Sequence, residues 1–276
     1  MAQTGIGIRM DTVRPQFISW LSKGRIAVGK ITILDGDPGL GKSTLLMYLS
    51  AQFSQGNPLP DGPVPKRRGV LLICGEDDPA DTIRPRLEAM GADLTQIILM
   101  TDFPVLQEKE DGTFEEIPGE RQLFALPTHV ATLKEAIEGW DIGLVIIDPL
   151  MAFFGEEIKA NSDQDVRRAL TPLATMLQET GAACILVRHL NKGSSANSLY
   201  RGGGSIGIIG IARFGLLVAK DPKDPDKRVL AVVKSNLGKP APSLSFALES
   251  VPGQDVAKVV WMGEVNYSSD DLLGDT

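Results

Sequence analysis

The chain has 276 residues, 43% hydrophobic and 23% charged, which is enough for one large domain with a sizeable core. Its net charge of −7 excludes a surface that is basic all over, so any contact with nucleic acid must come from local loops. No run of about 18 apolar residues occurs and no basic-then-apolar leader opens the chain, so a cytoplasmic protein without a membrane segment is expected.

Residues 1–25 read as an arm, with Phe17, Trp20 and Leu21 as its anchors. "KITILDG" is a short β-branched run, and "KSTLLMYLSAQFSQG" is helical with Gly56 as its stop. After the Pro/Gly-rich "NPLPDGPVPKRRG" comes a second apolar strand, "VLLICGED", and a helix over residues 78–90 ended by Gly91. "IILM" is a third apolar run, followed by a polar stretch with a β-hairpin around "EDGTF". "THVATLKEAIEGW" then predicts a helix, "IGLVIIDPL" a strand, "DVRRALTPLATMLQETG" a helix and "ACILVRH" a strand. Continuous apolar strands separated by amphipathic helices predict an α/β fold, a mostly parallel sheet covered on both faces. Beyond residue 205, "RFGLLVAKD", "RVLAVVKSN" and "SLSFALES" are closely spaced and extend that sheet as antiparallel strands. The tail from residue 266 to 276 is acidic and expected to be flexible, leaving 26–265 as the domain. Cys74 and Cys184, both in apolar runs, read as reduced core thiols.

The chemistry concentrates at strand ends. Gly36-Asp37-Pro38-Gly39-Leu40-Gly41-Lys42-Ser43-Thr44 follows a strand and opens a helix, which is the setting a phosphate-binding loop requires. Its glycines let backbone N–H groups wrap phosphates at a helix N-terminus. Lys42 is expected to reach the β- and γ-phosphates of ATP, Ser43 to hold Mg²⁺, and Thr44 to back them. Asp148 ends "LVIIDP" where a carboxylate fits a Mg²⁺-water ligand, although buried strands also end in Asp at simple turns. Glu76 ends "LLICGE", where it would polarise the water attacking the γ-phosphate; with Asp77 and Asp78 beside it, a solvated loop acid is the other reading. His189 closes "ACILVRH", where it would sense the γ-phosphate, a structural histidine being the other reading; His129, at a helix start, reads as a capping or surface residue.

Taken together, the loop, the glutamate after the second strand, the aspartate and the histidine resemble the RecA-like P-loop ATPases, and among them the RepA-type hexameric replicative helicases of plasmids, phages and mobile elements. The resemblance runs from "GRIAVGKITILDGDPGLGKST" to "VVKSNLGKPAPSLSFAL". It implies an arginine serving the neighbouring subunit's ATP, at Arg213, and a basic residue inserted across the same interface, at Lys234. Many relatives carry an arginine two residues after that lysine, where this chain has Asn236. The resemblance further implies a homo-oligomer, hexameric in this family, with ATP between subunits and possible replication-protein partners. It also places single-stranded DNA on the loops "MAFFGEEIKANSDQ" and "NKGSSANSLYRGGGS", the second carrying Lys192, Tyr200 and Arg201.

Two other classes fit parts of the pattern. A RecA-like assembly ATPase would use nucleotide to switch a partner without unwinding DNA. A small-molecule P-loop kinase needs no such glutamate and usually brings an arginine-rich lid, which is not apparent here.

Overall fold

The computed structural model describes residues 7–64, 66–109, 114–190 and 202–273. β1 (Trp20–Ser22) pairs with β2 (Ile26–Ala27) in a small hairpin leading into β3 (Ile31–Gly36). Leu21 and Arg25 are buried and the Trp20 ring packs edge-on against Phe214 at 5.1 Å, so the end of the arm is anchored on the domain. Of the three expected anchors, Phe17 is instead fully exposed.

After α1 (Lys42–Gln55) the chain forms β4 (Gly69–Cys74), a short π-helical turn over Pro79–Ile83, α2 (Arg84–Ala89) and β5 (Ile97–Leu99). The predicted hairpin is β6 (Phe103–Glu108) with β7 (Phe114–Gln122), outside the main sheet; its tip at 110–113 lies outside the described residues. Next come α3 (Val130–Gly139), β8 (Ile142–Asp148), α4 (Asp163–Thr180) and β9 (Ala183–His189). α5 (Ile206–Ile211) then precedes β10 (Phe214–Asp221), β11 (Asp224–Ser235), β12 (Ser243–Ser250) and β13 (Ala257–Val265). β13 was not expected from the sequence.

The main sheet runs β13-β12-β11-β10-β3-β9-β8-β4-β5. The six strands from β10 to β5 are parallel, and β11 to β13 are antiparallel additions, as the spacing after residue 205 predicts. Thr32, Asp35 and Arg188 apart, the buried stretches of the parallel strands are largely apolar because successive side chains enter two different cores. Ile33, Ile73, Val145, Ile147 and Leu186 meet α3, α4 and α5 on one face. Leu34, Leu72, Ile146, Ile185 and Val187 meet α1, α2 and the C-terminal strands on the other. The acidic tail is not wholly flexible: Ser269–Leu273 forms a short helix, α6, whose Leu272 and Leu273 pack against Leu190, Leu217 and Ala219. Apolar burial of those two leucines holds it there. No helix among the described residues is long and apolar enough to cross a membrane.

Candidate nucleotide site

Four parallel strands end side by side and carry the site. Register pairs Gly36 of β3 with His189 of β9, and Cys74 of β4 with Asp148 of β8, while β9 lies between β3 and β8. The phosphate loop, His189, Asp148 and the Glu76 turn therefore share one edge, the crevice at the carboxyl ends of the strands where α/β folds bind ligands.

The loop keeps its shape through one buried residue and two left-handed glycines, Gly39 at φ +76° and Gly41. Leu40 is anchored in the core, while Asp37, Pro38 and Gly39 remain exposed. Gly41 caps α1 at φ +84°, and a Cβ there would lie 2.5 Å from Leu248 Cδ1. Only glycine meets both conditions. The first N–H groups of α1 lack helical partners and lie beside an open cleft of about 360 Å³.

Inside this cleft, Lys42 Nζ donates to the carbonyls of Gly36 at 2.8 Å and Asp37 at 2.9 Å, and points at His189 Nδ1 from 3.4 Å. Burial holds the Lys42 pKa below its ordinary value, against the pull of Asp148, Asp37, Asp35 and Glu76. Ser43 Oγ donates to Asp148 Oδ2 at 2.9 Å. Burial pushes the Asp148 carboxyl above its ordinary range; the Ser43 hydrogen bond and Lys42 oppose this, and the charges of Glu76 and Asp77 add to it. A hydroxyl and a carboxylate crowded by two further acids form an all-oxygen, electronegative set. That donor set suits Mg²⁺, which takes few protein ligands and keeps its waters.

The Gly75 N–H donates to the Asp148 carbonyl at 3.0 Å, which fixes the turn that carries Glu76 beside Ser43 and Asp148. Glu76 is exposed at the cleft. Asp77 is held in an ion pair by Arg86 Nη1 at 2.8 Å, whereas no ion pair engages Glu76 among the described residues. Thr44 also lines the cleft.

Arg213 and Lys234 are brought together, but elsewhere. β10 runs parallel to β3, and the Arg213 N–H donates to the Ile31 carbonyl, at the opposite end of β3 from the loop. Lys234 Nζ donates to the Ile209 carbonyl at 2.5 Å; burial and then the Arg213 charge lower its pKa. The segment 191–201, with Lys192, Tyr200 and Arg201, lies outside the described residues. Its C-terminal flank meets the other candidate DNA loop: Ser205 N donates to the Ala160 carbonyl at 2.8 Å, and Gly207 N to Asp163 Oδ1 at 3.0 Å.

His129 occupies the N-cap position of α3, but its side chain makes no cap bond and is not at the surface. It is completely buried, stacked near Phe103 and Phe124, with Nδ1 accepting from Ala125 N at 2.8 Å and Nε2 facing the Pro104 carbonyl at 3.1 Å. Sequence reasoning also missed Arg86, and Asp35 with Arg188. For the last two a signal existed: an acid in "ITILDG" and an arginine in "ACILVRH" are charges inside buried strands, which require a partner.

A phosphate loop at the tip of β3, a carboxylate on β8, and β9 inserted between them define a RecA-like P-loop ATPase. The chain belongs to the AAA domain family, whose model matches residues 8–195. It is similar to the DNA repair protein RadA of Halalkalibacterium halodurans, 28% identical over 186 residues, 67% of this chain and 33% of that protein. RadA of Streptococcus pneumoniae is 24% identical over 191 residues, 68% of this chain and 37% of the relative. RadA of Chlamydia muridarum is 24% identical over 188 residues, 67% and 33%. The chain thus spans about a third of the length of the curated relatives it matches.

Proposed function

We propose that the chain is an ATP-hydrolysing motor that assembles into a ring, hexameric by its likeness to the RepA-type helicases, and moves along or unwinds DNA in plasmid- or phage-type replication. The observation that carries this reading is the division of its cations. Lys42 sits in the cleft, while Arg213 and Lys234 are gathered at the far end of the same sheet, a placement that supports a role at a neighbour's ATP over one at their own. The RadA relatives, described as DNA repair proteins, support DNA as the polymer.

In this reading the phosphates of ATP draw Lys42 off the Gly36 and Asp37 carbonyls, and the glycine loop and the start of α1 hold them. Mg²⁺ would be held by Ser43 and Asp148, where it supplies neutralisation of the phosphate charge. Glu76 orients and deprotonates the attacking water, with Asp77 kept out of that role by Arg86. Arg213 of a neighbouring subunit stabilises the charge of the transferring group, with Lys234 beside it. His189, at Lys42 on one side and continuous with the 191–205 loop on the other, reports loss of the γ-phosphate to a loop that grips single-stranded DNA.

A second reading, a partner-switching ATPase, draws on the exposed Glu156 and Glu157 in the first candidate DNA loop, which repel a phosphate backbone. ATPase rate measured against protein concentration, with and without single-stranded DNA, separates the two. The motor predicts a rate per subunit that rises with assembly and rises again with DNA. Lys192→Ala and Arg201→Ala reduce the second rise alone. A rate indifferent to DNA, at low salt and in the assembled state, rejects the motor in favour of the switch.

A further inference from the structure

Arg188 is 1% exposed and Asp35 2%, yet both are charged. Arg188 Nε and Nη2 donate to Asp35 Oδ1 and Oδ2 at 2.9 and 2.7 Å, a bidentate pair between β9 and β3. Its position is specific: Asp35 immediately precedes the first glycine of the phosphate loop, Arg188 immediately precedes His189, and register sets Asp35 opposite Arg188 and Gly36 opposite His189. The third nitrogen, Nη1, donates to the Gly203 carbonyl at 3.3 Å. Gly203 N donates in turn to the His189 carbonyl at 2.8 Å, and Gly202 bridges Leu190. Gly202 lies so close to the guanidinium that a Cβ would fall 2.1 Å from Nη2.

Stability alone does not account for this arrangement. Well-packed apolar residues of similar volume generally serve a buried position as well as an ion pair or better. They cannot hold two oxygens of one strand and a carbonyl of the loop before α5 in a single rigid plane, as a guanidinium does.

We propose that Arg188 is a positioning residue that transmits occupancy of the phosphate cleft to the backbone at residues 202–205. Lys42 is bound to the Gly36 and Asp37 carbonyls, so a phosphate that takes Lys42 releases the backbone directly after Asp35. The carboxylate and the fork move as one body, and the fork ends on Gly203. From there Ser205 and Gly207 bond to Ala160 and Asp163, carrying the displacement to the N-terminus of α4. The inference rests on the cleft binding ATP and is independent of whether DNA is the partner.

Hydrogen–deuterium exchange on the full chain tests it, with Mg-ATPγS as the probe. In the unaltered protein the nucleotide should slow exchange at 41–45 and change exchange at 203–207 by on the order of tenfold. Arg188→Lys should keep the first response and lose the second. Asp35→Leu combined with Arg188→Met provides a folded variant if Arg188→Lys does not fold, and it too should keep only the first. A response at 203–207 that survives in the double variant overturns the proposal, as does protection at 41–45 in the unaltered protein with none at 203–207. Protection at neither place would instead refute nucleotide binding, on which the proposed function itself stands.

Discussion

Replacing Arg213 by alanine removes an exposed side chain that is not among the described residues lining the cleft. Its backbone is bonded to Ile31 at the start of β3, and the phosphate loop begins at Gly36. At about 3.3 Å per residue those two levels are about 16 Å apart along the strand, farther than an arginine side chain extends. Arg213→Ala should therefore leave folding and ATP binding by isolated subunits unchanged. In the proposed ring it should cost about 10³ to 10⁵ in rate, or about 4–7 kcal/mol of transition-state stabilisation. The decisive assay mixes Arg213→Ala with Glu76→Gln subunits. In an equal mixture with head-to-tail contacts, about a quarter of the interfaces join an intact Glu76 to an intact Arg213. ATPase activity should thus recover toward about that fraction of the unaltered rate, far above either variant alone. Activity that never exceeds the sum of the two separate variants refutes action in trans, and the spatial reasoning with it.

Lys42→Ala should abolish turnover and weaken nucleotide binding, whereas Glu76→Gln should retain binding and lose about 10² to 10⁴ in turnover, as measured by nucleotide titration beside steady-state hydrolysis. Asp148→Asn should cost at least about 100-fold in Mg²⁺-dependent hydrolysis. The same change should raise the melting temperature of the nucleotide-free protein at neutral pH. Burial raises the Asp148 pKa, so its ionised form opposes folding once pH rises through that value; the gain should vanish below the ordinary aspartate range. His129→Ala should cost about 2–4 kcal/mol in denaturant unfolding, from the cavity and the stranded Ala125 N–H. Because burial holds His129 neutral and lowers its pKa, the unfolded chain takes up a proton that the native state refuses. Its stabilising contribution is complete above about pH 6.5 and is lost as pH falls below it, a slope that the alanine variant should lack.

Much of this molecule was legible in the chain because the signals are local. A glycine loop between a β-branched run and a helix has one function at any sheet edge, and apolar strands spaced by amphipathic helices fold into a covered parallel sheet. Asp148, Glu76 and His189 could be chosen because each ends a run of apolar residues. Which strands become neighbours is another matter. The insertion of β9 between β3 and β8 brings His189 to Lys42 across 147 positions of sequence, and no periodicity encodes that pairing. The ion pair of Asp77 with Arg86, the burial of His129, and the gathering of Arg213 with Lys234 away from the cleft arise in the same way. Local pattern sets which face of a strand or helix a residue occupies. Partners across space are selected by sheet order and by the need of every buried charge for a counter-charge, and those are properties of the assembled fold.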